Sequence, residues 1–199
     1  MRKRLPAAAR KDLVLERAVR TFAARGFSGA RTADLAKACG VSDAMLFKLF
    51  GSKQGLYRAM IEWKLARSGE GVFPTAAAEA GDDRAVFETI ARELLRNTLK
   101  DPAFMRLLLF SALEGHPLAR MFYDVRSRKV VAFLAGYIRR RIREGGFRKV
   151  DPELTAIAFL GAVFQYVLTV QVFRAQGLTR TPEAVARNAA GLVLDGLRA

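Results

Sequence analysis

The sequence has few of the residues that build disulfides, metal sites and nucleophilic active sites. Its 199 residues include one cysteine, Cys39, and one histidine, His116. A single cysteine excludes an intramolecular disulfide and fits a reducing compartment. No second histidine or cysteine accompanies His116 as a metal ligand, and the chain offers no nucleophile–base pair and no glycine-rich phosphate loop. We therefore expect neither an enzyme nor a bound metal or other cofactor.

Acidic residues are also scarce, and the resulting positive charge is unevenly distributed. The chain has 34 Lys and Arg against 19 Asp and Glu, a net charge of +15. Residues 1–67 alone hold 15 basic and 5 acidic side chains, so two-thirds of the excess lies in the first third of the chain. Such a concentration favours a polyanionic partner, either nucleic acid or an anionic membrane surface.

The N-terminus, MRKRLPAAARKDLVLERAV, begins with basic residues but lacks an uninterrupted apolar segment. Charged side chains at Lys11, Asp12, Glu16 and Arg17 divide it, so we expect no signal peptide and a cytoplasmic protein. Arg2, Lys3 and Arg4 form either an arm that reaches DNA or an unbound basic tail.

One uncharged run, Leu154–Phe173, is twenty residues long and could span a bilayer by length alone. Polar side chains, including Gln165 and Gln171, interrupt it, and a helix apolar on all sides is more often buried inside protein. We therefore expect no membrane association. A second copy of the chain is expected to cover the side of this helix that its own chain leaves open.

Helical spacing of apolar residues recurs through the chain, and no strand-like alternation bounded by hairpin turns is present. A first helix begins near Lys11 and ends near Gly26. Later helical segments begin and end at Pro, Gly or Asp: Asp83–Leu99, Pro102–Glu114, Leu118–Glu144, Asp151–Ala175 and Pro182–Leu197. The sequence predicts an all-α fold of about nine helices.

Three helices are predicted close together in the basic third. Thr32 is expected to cap the first, which ends at Gly40; Ser42 caps the second, and Ser52 caps a longer helix to about Arg67. A small residue, Ala36, and a glycine four residues later suit two helices that cross through a tight turn. This pattern is typical of a helix-turn-helix, whose second helix enters the DNA major groove.

A break at Gly69, Gly71 and Pro74 follows these helices. It predicts a DNA-binding domain at residues 1–67, which includes the start of the connecting fourth helix, and a larger helical domain at residues 68–199.

The segment TADLAKACGVSDAMLFKLFGSKQGLYRAM, Thr32–Met60, resembles the DNA-binding domain of the tetracycline-repressor (TetR) family, which typically reads T-x-x-[IL]-A-x-x-[AS]-G-V-S-x-x-x-[IL]-[YF]-x-[YH]-F-x-[SN]-K-x-x-L. The matching residues are Thr32, Leu35, Ala36, Gly40, Val41, Ser42, Leu46, Phe47, Phe50, Ser52, Lys53 and Leu56. Phe22, Gly26 and Phe27 match the end of the family's first helix.

Three residues of the segment differ from those that are most common in the family. Phe47 replaces a common tyrosine whose hydroxyl would reach a phosphate, so its expected role is packing, and Leu49 replaces an aromatic residue or histidine. Gly55 lies in the first turn of the fourth helix, at an expected cost of about 1 kcal/mol.

The groove geometry favours Lys48 for a phosphate or guanine contact. Asp43 could accept from a cytosine amino group or only satisfy the helix dipole, and both alternatives stay open. Lys53 adds its charge to a helix N-terminus that suits a phosphate. Met45 and Ala44 could meet a thymine methyl group. The expected DNA contacts are Arg31, Thr32, Ser42, Asp43, Ala44, Met45, Phe47, Lys48 and Lys53.

The resemblance implies a small-molecule effector cavity in the C-terminal helices and a four-helix interface between the last two helices of two copies. Candidates for the cavity are Phe87, Leu94, Asn97, Phe104, Leu108, Ser111, His116, Phe122, Tyr123, Phe133, Tyr137, Phe159, Val163 and Tyr166. Candidates for the dimer interface are Gly161, Gln165, Leu168, Val172, Asn188, Gly191 and Leu192; the glycines would allow close approach.

These features predict a homodimeric transcriptional repressor that binds a near-palindromic double-stranded DNA operator and is released by a small lipophilic effector. The alternative is a non-specific DNA-binding helical protein without an effector. Cys39 is interpreted as a core residue rather than a redox sensor, and His116 as a loop or pocket residue. The cluster Arg139–Arg143 is interpreted as a solvated helix face, with an anionic ligand group as the other reading.

Overall fold

The computed structural model describes residues 7–67 and 73–198, which fold almost entirely as α-helices. This confirms the all-α prediction. Helical packing divides the described chain into two units, residues 7–67 with 101–123 and residues 73–100 with 124–198. The basic arm Arg2–Arg4 lies outside the described residues, and the expected domain boundary after Arg67 falls at the edge of a gap in them.

Eleven α-helices run through the described residues. In chain order they are α1 Ala7–Gly29, α2 Thr32–Cys39, α3 Asp43–Phe50, α4 Lys53–Arg67, α5 Thr75–Glu79, α6 Asp83–Lys100, α7 Pro102–Leu113, α8 Pro117–Phe122, α9 Arg128–Arg143, α10 Pro152–Val167 and α11 Pro182–Leu197. Two single π-helical turns, Tyr123–Ser127 and Leu168–Val172, precede α9 and follow α10.

The first unit packs around the apolar face of α1. Phe22 of α1 is fully buried beside Leu35 of α2 and Tyr57 of α4, and Leu107 of α7 joins the same core. The helix α1 is interrupted at Gly26, whose φ of 70° is accessible to glycine at little cost, so the predicted end of the first helix is a kink near the last turn of α1.

The second unit is a bundle in which α6 packs against α10 and α11, and α9 packs against α10. Phe87 of α6 meets Phe159 of α10 edge to face at 4.9 Å between ring centroids. Helix starts follow the predicted pattern, because Asp151 and Thr181 cap α10 and α11 ahead of a first-turn proline.

Two of the predicted helices are interrupted in the structure. The segment expected as one helix, Leu118–Glu144, consists of α8, a π-helical turn and α9, and the segment expected as Asp151–Ala175 ends in a second π-helical turn. A π turn inserts one extra residue into a helix, and a single five-residue turn is too short to show a period of its own in the sequence. The helix α5 was also not predicted, because its alanines lie in a stretch interpreted as a break.

Candidate nucleic-acid interface

A tight glycine turn connects α2 to α3. Gly40 has φ 70° and ψ 34°, and its N–H donates to the Lys37 carbonyl at 3.1 Å, while the Val41 N–H donates to the Ala36 carbonyl at 3.0 Å. This pair of bonds is the Schellman motif, which satisfies the last carbonyls of α2 and reverses the chain. Ala36, 2 % exposed, is the small buried residue expected at the crossing.

The start of α2 differs from the sequence prediction. Arg31, in extended conformation, is the N-cap residue, and Thr32 is the first helical residue. The Arg31 side chain makes no capping hydrogen bond; the Arg31 carbonyl accepts from the Leu35 N–H at 3.0 Å instead. The predicted Thr32 cap is therefore wrong. Asp34, in the first turn, pairs with Arg25 and ties α2 to α1.

The predicted caps of the next two helices are confirmed. The Ser42 hydroxyl accepts from the Met45 N–H at 3.2 Å at the start of α3, and the Ser52 hydroxyl accepts from the Gly55 N–H at 3.0 Å at the start of α4. The short helix α3 ends at Gly51, whose φ is 73°. Both of its ends are thus set by local sequence.

The exposed side of α3 consists of two pairs of residues four apart. Leu46 is 3 % exposed and holds α3 to the core, whereas Asp43, Ala44, Phe47 and Lys48 are exposed. Positions i and i+4 share a helix face, so these four side chains form one surface, here called the reading face. The DNA-contact candidates of α3 are brought together there, with Met45 half-buried at its edge.

Phe47 does not take the packing role expected for it. Its ring is 45 % exposed, although the leucine before it is in the core. The ring lies on the reading face because position 47 is one turn after Asp43, while the core-facing positions of α3 are occupied by Leu46 and the half-buried Phe50. The expectation that Phe47 serves packing alone is therefore wrong.

Lys53 lies in the first turn of α4 with its Nζ 4.5 Å from the centroid of the Phe27 ring. Such a cation–π contact holds the ammonium group near the helix N-terminus, where free N–H groups also favour an anion. Arg31 is exposed and Thr32 half-buried at the start of α2. With Ser42, the exposed N-cap residue of α3, these three residues are the remaining DNA-contact candidates.

One carboxylate, which no sequence pattern indicates, supports the end of α1 in the first unit. The Glu114 carboxylate, at the end of α7, accepts from the Phe27 N–H at 3.0 Å and from the Ser28 N–H at 3.4 Å. A methyl group at Gly26 would lie 2.5 Å from the same carboxylate. The Phe27 ring also packs on His116 and Tyr57, with centroids 4.6 and 5.1 Å away. No local signal links residues 87 positions apart.

The single cysteine and the single histidine of the sequence both lie in the first unit. Cys39 is 3 % exposed and its thiol donates to the Val14 carbonyl at 3.4 Å, which confirms the core interpretation. Burial raises the pKa of the Cys39 thiol to about 11, so little of the reactive thiolate forms at neutral pH. Burial lowers the pKa of His116, and the Glu114 carboxylate acts in the opposite direction.

The effector-pocket candidates are divided between the two units. Those in the first are Phe104, Leu108, Ser111, His116, Phe122 and Tyr123, and those in the second are Phe87, Leu94, Asn97, Phe133, Tyr137, Phe159, Val163 and Tyr166. Phe87, Phe159 and Val163 are fully buried in the core of their unit, whereas Tyr123 is 48 % exposed.

The second unit contains an open cleft of about 500 Å³ beside α10 and α11. Its lining includes the pocket candidate Tyr166 and two dimer candidates, Gln165 and Asn188. The Tyr166 hydroxyl bridges the backbone of Arg180, accepting from its N–H at 2.8 Å and donating to its carbonyl at 3.2 Å. That bridge fixes the loop that closes one side of the cleft.

Some arginines of the cluster at the end of α9 form ion pairs with acidic side chains of the same unit. The Arg141 guanidinium donates to both Asp83 carboxylate oxygens, at 2.8 and 3.2 Å, and to Glu144 at 2.8 Å. Tyr137 also donates to Asp83, and burial together with this carboxylate raises the pKa of its phenol. Arg141 therefore joins α9 to the start of α6, which weakens the case for an anionic ligand there.

A continuous exposed stripe runs along α10. Leu154, Ile157, Gly161 and Gln165 are exposed at helical spacing, and Leu192 of α11 is 70 % exposed. The helical segment Pro152–Val172 is long and apolar enough to cross a membrane by length and composition, with 22 % of its most apolar stretch buried. The other dimer candidates, Leu168, Val172 and Gly191, are half-buried, and a methyl group at either Gly161 or Gly191 would meet open space.

Two family models match this chain. The model of bacterial regulatory proteins of the tetR family matches residues 14–60, and the model of the AefR-like transcriptional repressor C-terminal domain matches residues 85–196. Together they cover the helix-turn-helix and nearly all of the second unit.

Known proteins agree with these matches. The uncharacterized HTH-type transcriptional regulator YezE of Bacillus subtilis (strain 168) is 26% identical over 152 residues, which cover 73% of this chain and 77% of that protein. The crystal structure of the TetR family regulator PfmR from Thermus thermophilus is 26% identical with a TM-score of 0.72, over 94% of this chain and 99% of that one. The flavonoid-responsive regulator FrrA is 26% identical with a TM-score of 0.62, over 96% and 98%. The chain belongs to the TetR family of DNA-binding transcriptional regulators.

Proposed function

We propose that this regulator is a cytoplasmic, homodimeric repressor that binds a near-palindromic operator and is released by a small lipophilic effector. The observation that carries the proposal is the reading face: a short helix, capped at both ends, exposes Asp43, Ala44, Phe47 and Lys48 in the most basic part of the chain. In helix-turn-helix dimers two such helices occupy successive major grooves about 34–36 Å apart.

Release by an effector follows from differential binding. An effector that binds better to a dimer with mis-spaced recognition helices lowers DNA affinity by the ratio of its affinities for the two states. The flavonoid response of FrrA supports a lipophilic effector. We propose no catalytic activity for the protein.

The test begins with selection of binding sequences from a random duplex library. A repressor of this kind selects an inverted repeat and binds it about a thousandfold or more tightly than random duplex. Equal affinity for both duplexes would support the alternative, a non-specific DNA-binding protein without an effector, and would overturn the proposal.

Two substitutions then test the assigned contacts on the selected duplex. Lys48→Ala should weaken binding about tenfold or more, because it removes a contact to a base or a phosphate. Lys53→Ala should reduce the slope of log affinity against log salt by about 1 for each contacting copy, because a phosphate contact releases counterions. Lys129→Ala, which removes an exposed lysine of α9, is the matched control and should change neither quantity.

A further inference from the structure

The reading face includes an apolar patch that the proposed function does not yet use. Phe47 is 45 % exposed, and the exposed Ala44 lies three residues before it on the same side of α3. Asp43 and Lys48 flank the pair. A large ring on the exposed side of a DNA-reading helix is unexpected, because the other large apolar side chains of α3 are turned toward the core or half-buried.

The chemistry of this patch limits what it can recognise. A phenylalanine ring has no hydroxyl and cannot donate a hydrogen bond to a phosphate, and an alanine methyl group cannot either. Along the major groove only one base-edge group is apolar, the C5-methyl group of thymine. Polar base edges would lose hydrogen bonds to water against this patch and gain none in return.

We propose that Ala44 and Phe47 form a thymine-methyl reader, so that each operator half-site requires a thymine at one fixed position. This inference rests on the proposed function, because it assumes that α3 enters the major groove of an operator. Lys48, next to Phe47 on the helix, then contacts the neighbouring part of the same half-site. Phe47 is thus a specificity-determining residue and not a packing residue.

The experiment replaces thymine by deoxyuridine, which keeps every hydrogen-bonding group and removes only the methyl group. Each thymine of the selected operator is replaced in turn, at symmetry-related positions of both half-sites. We expect one position at which the wild-type protein loses about fourfold in affinity per half-site, the effect of one buried methyl group. Phe47→Ala should bind the thymine and deoxyuridine duplexes equally at that position.

A matched variant separates this effect from a general loss of apolar surface. Phe173→Ala removes an equally large ring that is 72 % exposed in the second unit, and it should keep the full deoxyuridine penalty. The fluorescence of Trp63, the only tryptophan and a residue of α4, checks that Phe47→Ala is folded, and circular dichroism checks that Phe173→Ala is folded.

Two results would overturn the thymine reader while leaving the proposed function intact. One is a selected operator on which no deoxyuridine position affects binding. The other is a deoxyuridine penalty that persists unchanged in Phe47→Ala, which would exclude Phe47 from the methyl contact. Failure to select any sequence would instead contradict the proposed function itself.

Discussion

At the scale of single residues, Gly55 shows how closely α4 approaches the end of α3. A methyl group placed on Gly55 would lie 2.0 Å from the carbonyl oxygen of Phe50, a backbone atom that cannot move away on its own. The glycine that looked like an unfavourable helix residue is therefore required by the short connection between the two helices. The close approach accounts for a residue that costs about 1 kcal/mol in helix propensity.

Gly55→Ala should consequently destabilise the first unit by about 1–3 kcal/mol, the usual effect of overpacking a site with no room. If helix propensity alone decided the outcome, the same change would stabilise α4. The sign of the effect therefore distinguishes the two explanations. Urea unfolding followed by Trp63 fluorescence measures it.

Gly29→Ala is the control for this experiment. Gly29 lies at the end of α1 in the same unit, and a methyl group there would meet only the Arg25 Cβ at an ordinary 3.6 Å. Its unfolding midpoint should be unchanged or slightly raised. A Gly55→Ala protein that is as stable as this control would contradict the close-approach argument.

Residues whose role is local are the ones that the sequence predicts correctly. Ser42 and Ser52 cap helices through bonds to N–H groups three residues away, and the left-handed Gly40 ends α2, so each role is determined within a few positions. Thr32 is an exception: α2 begins one residue earlier than the cap pattern predicts, with Arg31 as its N-cap residue. The exposure of Phe47 depends on how α3 is rotated against its neighbours, which no local pattern determines.

At the scale of helices, the end of α7 supports the kink in α1. The Glu114 carboxylate accepts from the N–H groups of Phe27 and Ser28, which follow the break at Gly26. Arg106, also on α7, donates to the Ala23 carbonyl at 3.3 Å. The Glu114 carboxylate therefore fixes the segment that leads from α1 into α2, and Arg106 holds α7 against α1.

Glu114→Ala should lower the stability of the first unit by about 1 kcal/mol, because two backbone donors lose a charged acceptor and turn to water. The effect is modest since the carboxylate is exposed. Glu114→Gln retains one acceptor oxygen and should lose about half as much. Urea midpoints measured by Trp63 fluorescence provide the comparison.

Removal of one negative charge from a basic unit could change stability by itself. Glu62→Ala removes an exposed carboxylate of α4 and controls for that effect. Its midpoint should stay close to that of the wild type. Equal midpoints for Glu114→Ala and Glu62→Ala would show that the contact to the α1 kink contributes nothing.

The helices themselves were largely predictable, because their starts and ends carry Pro, Gly, Asp and Ser signals. The packing unit to which each helix belongs was less predictable. The sequence placed Pro102–Glu114 among the C-terminal helices, whereas α7 contributes Leu107 to the core of the first unit. Such a contact joins residues far apart in the chain, and amphipathic spacing shows that a helix has an apolar face without showing which partner covers it.

At the scale of the whole molecule, the exposed stripe on α10 is the surface on which the proposed dimer depends. Leu154 and Ile157 are 65 % and 45 % exposed, and Gly161 continues the stripe without a side chain to keep another helix away. A contiguous exposed apolar face of this kind is typical of an interaction surface. In the proposed dimer a two-fold axis brings the same stripe of a second copy against it.

Ile157→Glu should convert the proposed dimer into monomers at micromolar concentration, because the symmetric interface would bury two unpaired carboxylates at once. Val125→Glu makes the same kind of change at a residue that is 46 % exposed but lies in the π-helical turn before α9, and it should remain dimeric. Sedimentation velocity measures the mass, and circular dichroism checks that both variants are folded. A dimeric Ile157→Glu protein would exclude this face as the interface. An Ile157→Glu monomer should also bind the inverted repeat much more weakly, because the two recognition helices are then no longer linked.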